Sequence, residues 1–100
     1  MSIKERNSGQ SFLIDSGADE CVYPATPADL SLPQTSQLVA ANGSIIRTFG
    51  KRTLPISFGA GHEVLQPFWI ATAQKPILGA DFFRQHDLLI DVPRLRLLSY

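Results

Sequence analysis

The segment "FLIDSGADECVYP", residues 12–24, places an acid directly after an apolar run. Residues 12–14 are apolar and are typical of a short buried strand. Asp15 follows at once, and the serine and glycine after it are turn-forming residues. Asp15 is therefore either a turn former or helix cap, or a group that does chemistry.

Composition narrows the class of protein. The chain has 100 residues and is expected to form a single domain, residues 1–100. Its nine basic and nine acidic residues give a formal net charge of zero, which disfavours a nucleic-acid-binding module. The single cysteine excludes an intrachain disulfide and fits a reducing compartment. No segment approaches the roughly 20 apolar residues of a membrane span. A domain this short buries a modest core, so dimerisation is a plausible source of stability.

Hairpin signals dominate the middle of the chain. In "LVAANGSIIRTFG", residues 38–50, Asn42 and Gly43 both tolerate the positive φ of a tight two-residue turn, so they predict a hairpin tip. Residues 52–58 and 62–73 predict two further strands, and Pro67 inside the second indicates an edge or a bulge. The sequence therefore predicts an antiparallel, mostly β domain.

The flanking regions give weaker signals. Residues 1–10 are polar and are expected to be extended or mobile, and "TPADL" within the loop of residues 25–37 has room for one helical turn. Residues 80–87 have helical spacing. The last strand-like runs, "LLIDV" and "LRLLSY", predict a terminal hairpin.

A short internal repeat links the two halves. "IDSGAD" (residues 14–19) and "PILGAD" (residues 76–81) both end in Gly-Ala-Asp after an apolar run. When the two are aligned, Asp15 falls opposite Ile77, and Ser16 opposite Leu78. The second segment thus has the turn without the acid, which predicts two similar halves with one carboxylate.

A single carboxylate is half of a known catalytic arrangement. Two carboxyl groups a few ångströms apart share one proton, so one activates a water while the other protonates a carbonyl. A two-fold symmetric dimer would supply the second copy of Asp15 at its axis. Ser16 would brace the loop by hydrogen bonding, and Gly17 would allow close backbone approach.

Three motifs in order resemble those of the retropepsins, the aspartic proteases of retroviruses and long-terminal-repeat retrotransposons. "LIDSGAD" is similar to the catalytic loop, "LVAANGSIIRTFG" to the flap hairpin, and "PILGADFF" to the segment before the family's helix. The resemblance covers roughly residues 11–98 and is greatest to the Ty3/gypsy type. It implies a mostly β, closed retropepsin-like barrel with a flap hairpin and one short C-terminal helix, active as a homodimer.

The resemblance also implies roles for individual residues. Asp15 would be catalytic, with Ser16 and Gly17 as active-site support. The flap, about Val39 to Ile46, would close over a peptide or polyprotein substrate. The implied substrate-binding residues are Leu13, Gly17, Ala18, Asp19, Ala41, Asn42, Gly43 and Ile77. The family implies no cofactor and no metal, and an intracellular location, either cytoplasmic or within virus-like particles. The implied activity is processing of a retroelement Gag-Pol polyprotein.

Departures from the family pattern affect the support of the active-site loop. Many retroviral members have an arginine directly after the late glycine, where this chain has Ala80, so Asp19 needs another partner. Arg6 and Arg84 are the candidates. The longer C-terminal tail predicts a terminal hairpin, and therefore a different dimer sheet.

Other functions remain open at this stage. The fold could serve as a catalytically silent or domesticated dimerisation or peptide-binding module. Ser16 lacks the G-x-S-x-G context of a nucleophile, and one cysteine with no ligand-spaced histidines makes a zinc site improbable. Neither a nucleic-acid nor a membrane partner is expected.

Overall fold

The computed structural model describes residues 2–15, 17–39, 43–59, 62–86, 88–91 and 96–99. Strands make up most of the regular structure in these ranges, as the sequence predicted. In chain order the elements are β1 (Ser2–Lys4), β2 (Ser11–Ile14), β3 (Val22–Pro24), α1 (Pro27–Leu30), β4 (Ser36–Val39), β5 (Ile45–Gly59), β6 (His62–Ala71), β7 (Ile77–Leu78), α2 (Ala80–His86), β8 (Leu88–Asp91) and β9 (Arg96–Ser99).

The main sheet has seven strands in the order β1-β2-β7-β3-β6-β5-β4, and a separate two-stranded sheet pairs β8 with β9. Closure would require β1 to pair with β4, but these strands lie at opposite edges of an open sheet. The expectation of a closed barrel is therefore wrong for the single chain. The described residues contain the expected short helix near the C-terminus and the helical turn that "TPADL" allows, at Pro27–Leu30.

Two strand pairs are parallel, which corrects the expectation of an antiparallel domain. β2 pairs with β7 in the register Leu13↔Ile77, and β3 pairs with β6 in the register Val22↔Trp69. Parallel pairs join distant segments, so adjacent hairpin signals in the sequence do not reveal them. The parallel β2–β7 pair brings the turns that follow both strands to the same end of the sheet.

The N-terminal segment is more ordered than its polar composition predicted. β1 pairs with β2 through Ile3↔Phe12, and Ile3 is buried. Glu5 is also buried, and its carboxylate accepts hydrogen bonds from the Ser57 backbone N (2.8 Å) and the Ser8 Oγ (2.7 Å). The bond from Ser57 attaches the N-terminal segment to β5, and the bond from Ser8 closes the turn within that segment.

The hairpin predicted within residues 38–50 is present as β4 and β5. Their pairing runs from Ser36↔Thr48 to Val39↔Ile45, so five residues separate the two strands instead of the predicted two. Gly43 has φ of +85°, as a turn glycine requires. Gly50 has φ of +97° and lies within a register shift between β5 and β6, which marks a bulge in the long strand.

Pro67 lies opposite Thr53 of β5, in a part of β6 that precedes its pairing with β3 at Trp69. A proline is tolerated there because one side of the strand is locally an edge. The edge interpretation of Pro67 is therefore confirmed.

The core is built around aromatic rings. Phe12, Phe68 and Phe82 are almost fully buried. Phe12 meets Phe68 edge to face with 5.9 Å between ring centroids, and Phe58 bridges to Phe82 at 6.0 Å. Such contacts add about 0.5–1.5 kcal/mol each beyond area burial. The cluster joins β2, β5, β6 and α2, and so anchors the strand that ends at Asp15.

Both helices begin where the sequence predicts. Thr26 caps α1 in a capping box with Asp29, whose carboxylate also accepts a hydrogen bond from Arg52 at 2.8 Å. α2 begins at Ala80, and its predicted end at Asp87 lies outside the described residues. Neither helix in the described ranges is long and apolar enough to cross a membrane. The predicted terminal hairpin is confirmed by the pairing Leu89↔Leu98.

Candidate active site

Asp15 lies at the carboxyl end of β2 with its backbone held from two directions. Its N–H donates to the Leu78 carbonyl at 3.1 Å, and its own carbonyl accepts from the Ala18 N–H at 3.1 Å. The residue is nevertheless exposed. The fold therefore fixes the backbone of this acid while presenting its side chain to the surroundings.

One carboxyl oxygen of Asp15 is already oriented by its own loop. The Gly17 N–H donates to Asp15 Oδ1 at 3.0 Å. A Cβ built on Gly17 would lie 3.2 Å from the same oxygen, so any side chain there would press on the carboxyl group. The other oxygen, Oδ2, has no hydrogen bond among the described residues. This arrangement orients the carboxyl group through Oδ1 and leaves Oδ2 available for a water or a partner group.

The second Gly-Ala-Asp turn packs directly against the first. The Ala80 N–H donates to the Ala18 carbonyl at 2.7 Å, and the Asp81 N–H donates to the Asp19 carbonyl at 3.1 Å. The two repeated segments found in the sequence therefore meet in space. In the strands before the turns, the spatial register differs from the sequence alignment by two residues, because Ile77 lies opposite Leu13 rather than Asp15.

Gly79 is the point of closest contact between the two turns. A Cβ at this position would lie 2.7 Å from both the backbone C and O of Glu20, and 2.9 Å from the Ala18 carbonyl oxygen. Real Cβ atoms do not approach backbone so closely, so only glycine allows this packing. The close approach keeps the loop that follows Asp15 against the base of α2.

Cys21 and Asp81 join the two segments at their far end. Cys21 donates to the Asp81 carboxylate twice, from its N to Oδ2 at 3.2 Å and from its Sγ to Oδ1 at 3.0 Å. Its sulfur in turn accepts from the Gly79 N–H at 3.4 Å. Burial, together with the neighbouring carboxylate, raises the pKa of the Cys21 thiol, so the thiol keeps its proton. Cys21 is a small core residue, and Asp81 binds both Cys21 and the Phe82 N–H in the first turn of its own helix.

The remaining predicted site residues fall into three groups. Leu13 and Ile77 are half-buried and directly opposite each other on β2 and β7, and Ala18 is half-buried in the first turn. Gly43 lies between β4 and β5, at the opposite edge of the sheet from β1. Their contacts with substrate stay predictions. Three predicted residues lie outside the described ranges: Ser16, Ala41 and Asn42.

Neither candidate arginine pairs with Asp19. Asp19 is exposed, and its carboxylate makes no hydrogen bond or ion pair within the described part of the chain. The Arg6 guanidinium lies near Gly59 instead, and Arg84 is an exposed residue of α2. The loop is held at Asp19 through its backbone carbonyl, by Asp81, and not through its side chain.

A second charged group beside this loop was missed by the sequence analysis. Glu20 accepts from the Trp69 Nε1 at 2.6 Å and from the Lys51 Nζ at 3.3 Å. The same Lys51 Nζ lies 4.8 Å from the centroid of the Trp69 ring. The signal was not readable locally, because the three residues come from segments far apart in the chain.

The acidic and sulfur-containing side chains of the described residues do not form a metal site. No group of three or more His, Cys, Asp or Glu residues in these ranges is placed to hold an ion.

No protein-family model matches this chain, and comparison with curated proteins finds no match. Comparison with solved structures does find a similar fold. The crystal structure of the retroviral protease-like domain of Ddi1 from Leishmania major matches with a TM-score of 0.65. The match covers 90% of this chain and 78% of that chain, at 19% sequence identity. The fold is retropepsin-like. At this identity the likeness concerns the fold alone, and the activity has to be argued from the residues of this chain.

Proposed function

We propose that this chain is one half of an aspartic endopeptidase. Asp15 of two copies would face each other across a two-fold axis and share one proton. The ionised carboxylate would take a proton from a water, and the protonated one would donate to the scissile carbonyl. Peptide hydrolysis would then proceed without a covalent intermediate.

One observation carries the proposal: the Asp15 side chain is exposed although its backbone is held on both sides. The Gly17 N–H bond to Oδ1 at 3.0 Å is one that a turn-forming aspartate also makes. The same bond orients the carboxyl group, and Oδ2, which the turn does not use, has no hydrogen bond among the described residues. Such preorganisation of a reactive group on a rigid support is what general acid–base catalysis needs.

The requirement for a second copy follows from the two turns. The second turn repeats Gly-Ala-Asp but has Ile77 and Leu78 where the first has Asp15 and Ser16. One chain therefore offers one carboxylate in this setting, and symmetry is the simplest source of another. Ser16 would brace the paired loops. The flap hairpin would hold an extended peptide against Leu13 and Ile77 as an added strand.

More specifically, we propose that the enzyme cleaves a retroelement polyprotein at sites flanked by apolar residues. Apolar flanking residues suit the half-buried Leu13 and Ile77 beside the Asp15 turn. The competing role, a dimerisation or peptide-binding module without catalysis, keeps the same fold and leaves Asp15 unused. The two proposals differ in a single measurable property, which is hydrolysis that depends on Asp15.

The test is digestion of a proteome-derived peptide library at acidic and neutral pH by the wild type and by Asp15→Asn. Loss of the carboxylate should lower kcat/KM on the order of 10³-fold or more, because the water loses its general base. Glu63→Gln is the matched control: it removes one exposed carboxylate from β6, away from both turns. That variant should cleave like the wild type.

Sedimentation over a dilution series completes the test. Both the wild type and Asp15→Asn should dimerise, with stability that depends on concentration. Cleavage that survives in Asp15→Asn would refute the catalytic role. Dimers of the wild type that cleave nothing would favour the silent module, and a monomer that cleaves would refute the half-site.

A further inference from the structure

We propose that Asp81 is a positioning residue that holds Asp15 in its catalytic geometry through Cys21. This role rests on the proposed peptidase function. It means that an acid on α2, and not an arginine as the sequence suggested, supports the active-site loop. Asp81 touches neither the reacting atoms nor substrate in this account. It acts by fixing the loop of residues 15–21.

The contacts between the two segments form a continuous series. At the start of the loop, the Asp15 N–H donates to the Leu78 carbonyl. In the middle, the carbonyls of Ala18 and Asp19 accept from the segment that begins α2. At the end, Cys21 donates its N–H and its thiol to the two oxygens of Asp81. The loop is thus bound at both ends and in the middle.

Asp81 contributes more of these contacts than any backbone group can. Its N–H binds the Asp19 carbonyl at 3.1 Å, while its side chain binds Cys21 twice. Its Oδ1 also accepts from the Phe82 N–H at 2.7 Å, which fixes the side-chain rotamer at the start of α2. The two ion pairs found in the described ranges involve other acids, so hydrogen bonds alone hold this carboxylate.

The mechanical consequence concerns the position of the Asp15 carboxyl group. Gly79 contacts the Glu20 backbone so closely that the loop has no space to move toward α2. If the contact between Cys21 and Asp81 were lost, the loop could therefore move only away from α2. A displacement of about 1 Å at a reacting group costs on the order of 10²-fold in rate.

Cys21 is the only cysteine of the chain, so its reactivity reports directly on this contact. It is buried, and a small thiol reagent reaches it only when the loop opens. In Asp81→Asn one acceptor oxygen is replaced by a donor that faces the donors of Cys21. Labelling under native conditions should become about tenfold faster, as the loss of one hydrogen bond implies. Arg84→Gln, on the same helix, is the control and should label at the wild-type rate.

Kinetics separate positioning from simple loss of folded protein. Asp81→Asn should lower kcat by about 10- to 100-fold with KM changed little, because the substrate contacts remain. Its pH–rate profile should also narrow, since carboxyl groups that move apart share a proton less strongly. A smaller folded fraction would lower the rate by the same factor at every pH and leave the width of the pH–rate profile unchanged.

Substitutions of Cys21 provide a second route if Asp81→Asn folds poorly. Cys21→Ser retains a donor for Asp81 and should keep kcat and the width of the pH profile. Cys21→Ala removes the thiol donor and keeps only the backbone N–H bond to Asp81, so it should narrow the pH profile in the same direction as Asp81→Asn. Both variants are assayed below their unfolding temperatures with the same peptide library.

Each outcome decides the role of Asp81. Wild-type labelling in Asp81→Asn would show that the carboxylate does not hold the loop. Faster labelling with an unchanged kcat and pH profile would make the contact structural only, and the positioning role wrong. In both cases cleavage that depends on Asp15 would leave the peptidase proposal intact. A wild type that cleaves no peptide would refute the peptidase and the positioning role together.

Discussion

The two Gly-Ala-Asp turns have the same three residues and opposite surroundings. In the first turn, Gly17 is exposed and Asp19 has no side-chain partner among the described residues. In the second, Gly79 is buried against the Glu20 backbone, and the Asp81 carboxylate accepts three hydrogen bonds. The same tripeptide is a non-helical turn at residues 17–19 and the start of a helix at residues 79–81, so its neighbours determine both its structure and its role.

The difference follows from position in the sheet. β2 and β7 are parallel neighbours, so both turns begin at the same end of adjacent strands. α2 begins within the second turn, and its first two N–H groups bind the backbone carbonyls of Ala18 and Asp19, while the side chains of Asp15 and Asp19 stay exposed. The second turn therefore supports the first, and the first turn presents the Asp15 carboxyl group.

The sharpest way to test this comparison is to add one methyl group to each glycine. Gly79→Ala should lower the free energy of unfolding by about 3 kcal/mol, because its Cβ would overlap the Glu20 backbone. Gly17→Ala should cost about 1 kcal/mol or less, since its nearest neighbour is a side-chain oxygen of Asp15 at 3.2 Å. Urea unfolding of both variants measures the difference.

Gly17→Ala should have the smaller effect on stability and the larger specific effect on activity. Gly17→Ala presses on the Asp15 carboxyl group, so it should lose activity while remaining folded. Equal destabilisation by the two substitutions would contradict the assignment of one turn as support and the other as the working site.

Replacing the aspartate of each turn, Asp81 or Asp19, by asparagine tests the same comparison through smaller changes in stability. Asp81→Asn should lower the free energy of unfolding by about 1–2 kcal/mol, because a hydrogen-bonded carboxylate is replaced by a mismatched amide. Asp19→Asn should change it by no more than about 0.5 kcal/mol, as expected for an exposed group without a partner. Thermal unfolding at neutral pH distinguishes them, and comparable losses would show that Asp19 is also engaged.

Acid titration gives the smallest effect and concerns carboxylates outside both turns. A hydrogen bond from Arg52, with others from Thr26, lowers the pKa of Asp29 to about 2. Burial alone would raise the pKa of Glu5, but hydrogen bonds from Ser8, Asn7 and Ser57 outweigh it and lower the pKa below its usual value. Because both values are lower in the folded state, their contribution to stability is complete above about pH 4 and is lost as the pH falls through the folded values.

Melting temperatures measured from neutral pH down to about pH 2 check this expectation. Asp29→Asn should reduce the loss of melting temperature in acid, because the amide does not titrate. Arg52→Ala should lower the melting temperature at neutral pH. It should also reduce the further fall in melting temperature between neutral pH and about pH 2. An acid limb identical in all three proteins would show that Asp29 does not contribute.

Local signals in the sequence predicted the local structure. The hairpin of β4 and β5 followed from β-prone runs around Asn42 and Gly43, and the helical turn of α1 from "TPADL". The late helix followed from spacing after Gly79. Each of these features is determined by residues within a few positions of one another, which is why composition and order were enough.

Features that depend on distant residues were not predictable in the same way. The parallel pairing of β2 with β7 joins residues more than 60 positions apart, so no turn marks it. The buried Glu5 looked like a polar residue of a mobile segment, since its partner Ser57 belongs to β5. At the candidate site, Asp15 followed from its motif, but the Cys21–Asp81 contact required the fold.

The bulge at Gly50 has a consequence for the dimensions of the molecule. A straight strand of 15 residues would extend roughly 50 Å at the usual rise per residue. The Cα atoms of the chain span only 38 Å along their longest axis, so β5 must curve. The part of β5 that pairs with β4 and the part that crosses the core are consequently one curved piece of backbone, and Gly50, which has no side chain, lies at one of its two register shifts.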